Sequence, residues 1–355
     1  MNTLLLPANE ESVAQAARLM ARGEIVAIPT ETVYGIAGSA FDGAAVKKIF
    51  EAKGRPQDNP LIVHVDSLAR MEQVVQKITP RAEKLAKAFW PGPLSMILPR
   101  GPRLADEVCA GLDTVAVRMP SDLVAHRLVE LSGLPFAAPS ANRSGSPSPT
   151  TAQDVLADMD GRLPLILDGG ACKVGVESTV VNISGPQPVL LRPGYITQQQ
   201  LAEALGEEVL LAGAITHKLK EGEIARSPGM KYKHYAPKAN VVIVWGSFEQ
   251  YAAYVEAHKA EGVFCLCFAG EPESLPVPCV TYGSENDPAA QAHDLFRALR
   301  ELDEEGAKQV YARCPGQEGV ALAVYNRLLR AAGFQGVELG EPAVSPAAVD
   351  AANRR

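Results

Sequence analysis

A turn after a predicted helix holds two cations in a chain whose net charge is negative. In KGRPQDNP, residues 53–60, Lys53 and Arg55 lie two residues apart, and Pro56 and Pro60 restrict the backbone around them. An ammonium beside a planar guanidinium suits a polyphosphate, because the first is a point charge and the second can bind two oxygens at once. The same cations are also favoured at a solvated helix C-terminus. The motif alone therefore leaves a phosphate site and a plain helix end both open.

Two further segments place polar side chains near the ends of predicted strands. IPTETVYG carries Thr30 and Thr32 just after a strand, where α/β folds place ligands, although a polar turn has the same composition. GLDTVAVRMP puts Thr114 and Arg118 four residues apart, and hence on one face of a strand. A cation at the end of an apolar strand is costly unless it is paired or binds an anion. These segments therefore leave an internal ion pair and an anionic ligand both open.

Hydroxyl and amide donors are concentrated in a loop and two short motifs farther along the chain. The loop APSANRSGSPSPT has donors that suit phosphate and ribose, although a serine-rich composition is also typical of a plain loop. The donors of interest are Ser140, Asn142 and Ser148 of this loop, Ser178 of GVESTVV, and Arg192 of LLRPG. No glycine-rich phosphate loop and no Ser-His-Asp spacing occurs in the sequence. A nucleotide would therefore be held by scattered residues at strand ends.

Short β-branched runs alternate with amphipathic stretches from residue 24 to residue 205. The predicted strands are EIVAIP, PLIVHV, LSMILP, TVAVRMP, FAAPS, LILDGG, STVVNI and PVLLRPG. The predicted helices cover residues 43–53, 80–89, 121–132, 151–159 and 197–205. So many strands with connections of mixed length predict an α/β domain over residues 1–205, built on one sheet of mixed direction.

The rest of the chain is predicted to be a linker and a smaller domain. Residues 206–238 end in the linker motif SPGMKYKHYAP, which either tethers the domains or folds onto a partner surface. In residues 239–345, the strands NVVIVWG, GVFCLCF and QVYARC alternate with helices around 247–259, 287–303 and 318–331. This alternation predicts a small, doubly wound, Rossmann-like α/β domain, followed by a tail over residues 346–355.

The composition argues against several classes of protein. The 355 residues carry 34 Lys and Arg against 41 Asp and Glu, and residues 239–355 alone hold 9 against 16, which makes a poor nucleic-acid surface. No apolar run approaches the roughly 20 residues that cross a bilayer, and no export signal is visible. We therefore expect a cytoplasmic protein without membrane contact. The six cysteines lack paired ligand spacing, so we expect no protein-ligated metal.

Six motifs, in this order and spacing, closely resemble the YrdC-type threonylcarbamoyl-AMP synthase family. They are PTETVYG, KGRPQDNPLIVHV, GLDTVAVRMP, PSANRSGSPSPT, GVESTVV and LRPG. The linker motif and the small domain after it are similar to the long, two-domain form of that family. The resemblance implies a YrdC-like twisted mixed sheet with a ligand cleft as the catalytic domain.

The resemblance also implies an ATP-dependent condensation. L-Threonine, bicarbonate and ATP, the last with Mg²⁺, give threonylcarbamoyl-AMP and pyrophosphate. A separate complex then passes the threonylcarbamoyl group to tRNA next to the anticodon, so contact of this enzyme with tRNA would be weak or indirect.

By the same resemblance, two sets of residues hold the substrates. Threonine and its carbamate would be bound by Thr32, His64, Thr114, Arg118, the backbone of Ala138, and Ser178. ATP would be bound by Arg55, Asn59, Ser140, Asn142, Ser148, Arg192 and Tyr232. Lys53 and Arg55 are the predicted catalytic residues, because fixed cations would neutralise the phosphates.

A cover over the site is a further hypothesis, because carbamates lose carbon dioxide readily in water. We expect residues 227–237 to form this lid, with Tyr232 reaching the nucleotide.

Two other functions remain as alternatives. A non-catalytic RNA-binding module would need a broad positive face and stacking aromatics, whereas aromatic residues are 6% of the chain. The other alternative is a carbamoyl-adenylate-forming enzyme. The sequence shows neither an acylphosphatase-like nor a zinc-knuckle segment, which argues against this alternative.

Overall fold

Eleven strands within residues 2–217 join into one twisted sheet. The computed structural model describes residues 2–217 and 235–340. The strands are β1 (Leu4–Pro7), β2 (Val26–Ile28), β3 (Gly35–Ser39), β4 (Ile62–His64), β5 (Leu94–Pro99), β6 (Thr114–Arg118), β7 (Phe136–Ala137), β8 (Leu165–Asp168), β9 (Thr179–Asn182), β10 (Val189–Arg192) and β11 (Leu210–Leu211). Their order across the sheet is β1-β8-β2-β3-β7-β4-β6-β5-β9-β10-β11. β4 runs parallel to β6 and β5 runs antiparallel to it, which confirms the predicted sheet of mixed direction.

Eight helices of the same described range pack around this sheet. They are α1 (Glu10–Ala21), α2 (Gly43–Lys53), α3 (Leu68–Met71), α4 (Pro80–Phe89), α5 (Asp106–Cys109), α6 (Leu123–Ser132), α7 (Ala152–Met159) and α8 (Gln198–Leu205). The helices predicted from periodicity are present, and most ends agree within two residues. We call residues 2–217 the first domain.

The two faces of the central strands differ because successive side chains of a strand point in opposite directions. In β6, Val115 and Val117 pack into the main hydrophobic core of the first domain. Ala116 lies on the other face, where it packs with Ile62 of β4. Arg118 shares that second face by its position in the strand. The sheet therefore has an apolar face that stabilises the fold and a second face that is free to carry polar groups.

The second domain, residues 235–340, is built on a smaller sheet. Its strands are β12 (Asn240–Trp245), β13 (Val263–Cys267), β14 (Cys279–Thr281), β15 (Gln309–Arg313) and β16 (Gly336–Glu338), and its helices are α9 (Phe248–Ala257), α10 (Pro288–Glu304) and α11 (Ala321–Ala331). The strand order is β14-β13-β15-β12-β16, and every neighbouring pair is parallel. Parallel strands joined through helices confirm the predicted doubly wound domain.

The two domains share a hydrophobic contact. Val33 and Val176 of the first domain are buried within the core cluster of the second. An ion pair between Arg300 of α10 and Asp158 of α7, at 2.9 Å, lies at the same interface. The surface between the domains is therefore a packed interface.

Several elements were not predicted. β3, with the sequence GIAGS, lacks the β-branched residues that mark strands, and the leucines of β1 show no alternation. β11 adds two exposed leucines to the sheet edge beyond residue 205. The signal for α1 was present, because Asn9 caps the helix and Val13, Ala16 and Met20 are buried at helical spacing. The described helices are all too short or too polar to cross a bilayer.

Helix α2 delivers the turn with the two cations. Asp42 accepts hydrogen bonds from Ala44 N and Ala45 N at the helix start, and Gly54 ends the helix with φ of 63°. This positive φ favours glycine and turns the chain directly after Lys53. The cap and the glycine together fix where Lys53 leaves the helix.

We expect Asp42→Ala to destabilise the protein, because two amide groups lose their acceptor. The cost is about 1 kcal/mol, or a fall of roughly 2–4 °C in Tm by differential scanning calorimetry. Asp42→Asn is the control, because an amide oxygen still caps the helix. An equal fall for both substitutions would contradict the capping role.

Candidate active site

One cavity gathers most of the polar residues that the sequence singled out. Its empty volume is about 740 Å³, a figure that includes solvent at the open mouth. The second face of the sheet forms its floor, through His64 of β4 and Arg118 of β6. The loops after β2, α2 and β7 and the segments beside β9 and β10 form its walls.

Lys53 lines the cavity, but its ammonium is engaged with the protein. Its Nζ donates to Ser140 O, to Asn142 O at 2.7 Å and to Asn142 Oδ1 at 3.3 Å. Burial, together with the neighbouring Arg55 charge, holds the pKa of Lys53 well below its ordinary value. Lys53 therefore ties the serine-rich loop to the end of α2.

Arg118 is buried at the end of β6 and is paired. Its Nη1 donates to Thr32 Oγ1 at 2.9 Å, and its Nη2 lies 2.7 Å from Glu31 Oε1. Burial alone would raise the pKa of Glu31, but the Arg118 guanidinium outweighs it and holds that pKa below its ordinary value. The pair fixes the guanidinium against Thr32, so both side chains face the cavity in a defined orientation.

His64 is neutral and oriented. Its ring stacks on Phe136 at 5.2 Å between centroids, and Nδ1 lies 3.3 Å from Ile62 O. Because a carbonyl oxygen can only accept, this contact assigns the ring proton to Nδ1 and leaves Nε2 as an acceptor. Burial, with the Arg118 charge, lowers the pKa of His64 to about 3. The imidazole can therefore accept a hydrogen bond from a ligand hydroxyl at neutral pH.

Ser178 and Arg192 form the opposite wall. Arg192 donates from Nε to Ser178 O and from Nη2 to Ser178 Oγ, both at 3.0 Å. Burial lowers the pKa of Arg192 to about 10, so the side chain stays charged at neutral pH. Next to it, Glu177 accepts a hydrogen bond from Ser148 Oγ at 2.5 Å and pairs with Arg327 of α11 at 3.0 Å. This wall thus depends on a residue of the second domain.

The structure brings together ten of the fourteen predicted site residues. Those that line the cavity are Thr32, Lys53, Arg55, His64, Arg118, Ala138, Ser140, Asn142, Ser178 and Arg192. Asn59 and Ser148 are fully buried and do not line the cavity. Thr114 lies at the start of β6, four residues from Arg118 and roughly 13 Å away along the strand. Tyr232 lies outside the described residues, and the roles of all fourteen stay predictions.

Several residues at the cavity were not among the predicted site residues, and three of them bear on its charge or its cover. Glu31 and Glu177 are buried carboxylates beside the cavity, and Tyr235 lines it at the end of the linker. Glu31 and Glu177 lie inside the quoted motifs, so a search for counter-charges to the cations would have found them. Tyr235 follows Tyr232 by three residues in the same motif.

The described end of the predicted lid contacts the cavity wall. Ala236 N donates to Gly145 O of the serine-rich loop at 2.9 Å, and the ring of Tyr235 lies 5.1 Å from that of Phe296 in α10. Residues 227–234 of the predicted lid lie outside the described residues. Among residues 2–217 and 235–340, no group of three or more His, Cys, Asp or Glu is arranged to hold a metal ion.

Comparison with known proteins decides the family. A family model described as telomere recombination matches residues 18–194, and one described as the C-terminal domain of threonylcarbamoyl-AMP synthase matches residues 196–333. A Pyrococcus abyssi protein named threonylcarbamoyl-AMP synthase is 42% identical over 335 residues, which cover 92% of this chain and 95% of that relative. This chain belongs to the threonylcarbamoyl-AMP synthase family.

Other members of the threonylcarbamoyl-AMP synthase family agree with this assignment. A Bacillus subtilis relative with the same name is 44% identical over 92% of this chain and 95% of its own length. The crystal structure of Pyrococcus abyssi Sua5 complexed with L-threonine matches with a TM-score of 0.89 and 40% identity, over 95% of this chain and 100% of that one. The confirmed fold is therefore that of the two-domain members of the family.

In this member of the threonylcarbamoyl-AMP synthase family, we expect His64 to make stability depend on pH. An unfolded histidine has a pKa near 6.5, whereas burial lowers the pKa of His64 to about 3. Between these values the unfolded state binds more protons, so this contribution is complete above pH 6.5 and is lost as the pH falls towards 3. From pH 7 to pH 5 the loss is about 2 kcal/mol.

Urea unfolding of the wild type and of His64→Gln at both pH values measures this difference. The wild type should lose about 2 kcal/mol more than the variant on acidification, because the variant has no imidazole to protonate. Equal losses would show that His64 titrates normally in the folded protein.

Proposed function

We propose that this chain is a threonylcarbamoyl-AMP synthase, which condenses L-threonine, bicarbonate and ATP into threonylcarbamoyl-AMP and pyrophosphate. The observation that carries the proposal is the cavity in which Lys53, Arg55, Arg118 and Arg192 meet beside hydroxyl donors. The names of the full-length relatives, and the threonine bound in the Pyrococcus abyssi structure, support the same activity.

The threonine half of the site consists of the floor and the wall next to it. Arg118, held by Glu31, binds the threonine carboxylate together with Thr32. Neutral His64 accepts a hydrogen bond from the threonine hydroxyl through Nε2. Ser178 binds the carbamate, and Ala138 lines the cavity beside it. A site that hydrogen-bonds a hydroxyl rejects amino acids that lack one, because its polar groups would otherwise stay unpaired.

The nucleotide half consists of Arg55, Arg192 and the serine-rich loop. Arg55 projects from the turn after α2 and binds the phosphates as a planar fork. Ser140 and Asn142 of the loop contact the nucleotide, and the Lys53 ammonium holds this loop in place. Mg²⁺ enters with ATP as part of the substrate and neutralises charge on its phosphates.

Repulsion between like charges is the main barrier that this arrangement removes. The threonine amine and bicarbonate give N-carboxythreonine and water, as the new C–N bond replaces a C–O bond of bicarbonate. N-Carboxythreonine carries two carboxylates and must approach a triphosphate. At about 4 Å, each fixed cation offsets roughly 4 kcal/mol of repulsion at an effective dielectric of 20. A carbamate oxygen then attacks the α-phosphorus, the new O–P bond forms, and the bond to the β-phosphate oxygen breaks. Pyrophosphate leaves with that electron pair, so no protein base is needed in this step.

The end of the linker covers the reaction from water. Tyr235 is buried against the cavity, and Ala236 is bonded to the serine-rich loop. This cover would exclude the water that decomposes a carbamate. The product would then pass to a separate complex that modifies tRNA in the cytoplasm.

The activity is tested by pyrophosphate release from ATP, with threonine and bicarbonate added singly and together. Only the complete mixture should release pyrophosphate, in step with threonylcarbamoyl-AMP detected by mass spectrometry. Release with carbamoyl phosphate in place of threonine and bicarbonate would favour a carbamoyl-adenylate enzyme instead. Salt-sensitive tRNA binding without threonine-dependent release would favour an RNA-binding module.

We expect Arg55→Ala to lower kcat/KM for ATP at least about tenfold, because a charge-assisted phosphate contact of roughly 1.4 kcal/mol or more is lost. Arg103→Ala is the matched control, since Arg103 is an exposed arginine over the ring of Phe41 outside the cavity lining. Steady-state kinetics should separate the two variants. Equal kcat/KM values would show that Arg55 does not contact the nucleotide.

A further inference from the structure

Residues 174–178 form a segment that is clamped between the two domains. On the side of the first domain, Val174 N donates to Glu31 O at 2.8 Å and Gly175 N donates to Thr32 O at 3.1 Å. On the other side, Val176 is fully buried in the core of the second domain. The position of this segment therefore depends on both domains.

Gly175 brings the segment directly against a helix of the second domain. Its φ is +83°, and an added Cβ would lie 2.4 Å from the Cα of His293 in α10. Both the conformation and the close approach require glycine at this position. The contact is thus between backbones, which fixes the segment more closely than side-chain packing would.

Arg327 of α11 provides the charged part of this clamp. The side chain is fully buried, and Nε donates to Glu177 Oε2 at 3.0 Å. Nη2 donates to Glu177 O at 3.2 Å, and Nη1 donates to Pro193 O at 2.5 Å. The guanidinium thus joins the segment before β9 to the segment after β10. Glu177 of the first segment lines the cavity, and Pro193 directly follows Arg192, which lines it as well.

The buried carboxylate of Glu177 requires a compensating positive charge, which Arg327 provides. Burial by itself raises the pKa of the carboxyl, but the charges of Arg327 and Arg192 outweigh burial and hold the pKa below its ordinary value. Glu177 is therefore an anion beside the cavity. Of the two cations that lower the pKa of Glu177, Arg192 is the one that would remain without Arg327. Hydrogen bonds direct Arg192 at Ser178.

We propose that Arg327 is a positioning residue for threonylcarbamoyl-AMP formation: it neutralises Glu177, so that Arg192 stays directed at Ser178 and the nucleotide. The second domain thereby completes the cavity of the first. This inference rests on the proposed function, because that proposal places the nucleotide against Arg192 in this cavity.

The test compares ATP affinity by isothermal titration calorimetry, and kinetics, in three variants of the full chain. Arg327→Met keeps the length of the side chain but leaves Glu177 as an uncompensated buried anion, so it should weaken ATP binding at least about tenfold. Adding Glu177→Gln to this variant should restore the affinity to within about threefold of Glu177→Gln alone, because the repelling charge is gone. Arg327→Lys should fall between Arg327→Met and the wild type.

Arg313→Met is the control for a general loss of stability in the second domain. Arg313 is also buried and paired, with Glu271 and Glu285 of its own domain, so its loss should lower Tm without changing ATP affinity. ATP binding by Arg327→Met equal to the wild type would overturn the inference, as would a double variant as weak as Arg327→Met.

Two further results keep the inference and the proposed function separate. If Arg327→Met does not fold, the variant that combines Arg327→Met with Glu177→Gln tests the inference. It must bind ATP as tightly as Glu177→Gln alone. If the wild type binds ATP but releases no pyrophosphate with threonine and bicarbonate, the proposed function fails while the comparison of affinities still decides the role of Arg327.

Discussion

The structure depends on the cost of burying several positive charges in one cavity. A buried cation is stable only when acceptors replace the water that it loses. The protein provides these acceptors from its own chain: carbonyl and amide oxygens for Lys53, Glu31 for Arg118, and Ser178 for Arg192. Each cation is thereby held in one orientation before any ligand arrives. Such a preorganised site stabilises charge without having to rearrange during the reaction.

The alternation of side chains between the two faces of each strand makes this arrangement compatible with a stable fold. On the apolar face, residues such as Val117 pack against the helices, and on the other face the same strand ends in Arg118. Neighbouring strands contribute in register, since His64 of β4 pairs with Arg118 of β6. Burial removes water from both side chains. For this reason His64 is neutral and Arg118 needs the partner Glu31. One face therefore supplies stability, and the other supplies polar chemistry.

Residues that are close in sequence made much of this site predictable. The turn with Lys53 and Arg55 follows from a helix end and two prolines, and the polar end of β6 follows from strand periodicity. Periodicity did not reveal β3, because glycine and alanine leave no pattern. It also could not place Thr114 relative to the cavity, because Thr114 and Arg118 share a face but not an end of the strand. The pairing of Glu177 with Arg327 spans 150 residues and has no local signal.

That long-range pair shows why the second domain matters for the charge of the cavity. A carboxylate beside a site for anions works against binding unless a cation neutralises it, and here the cation comes from α11. The part of this neutralisation that comes from Arg327 consequently requires the packed arrangement of the two domains. Because binding energies are linked, a ligand that prefers the neutralised cavity must also favour the docked arrangement of the domains by the same free energy. If ATP binds as proposed, the interface between the domains therefore contributes to its affinity through the pair of Glu177 and Arg327.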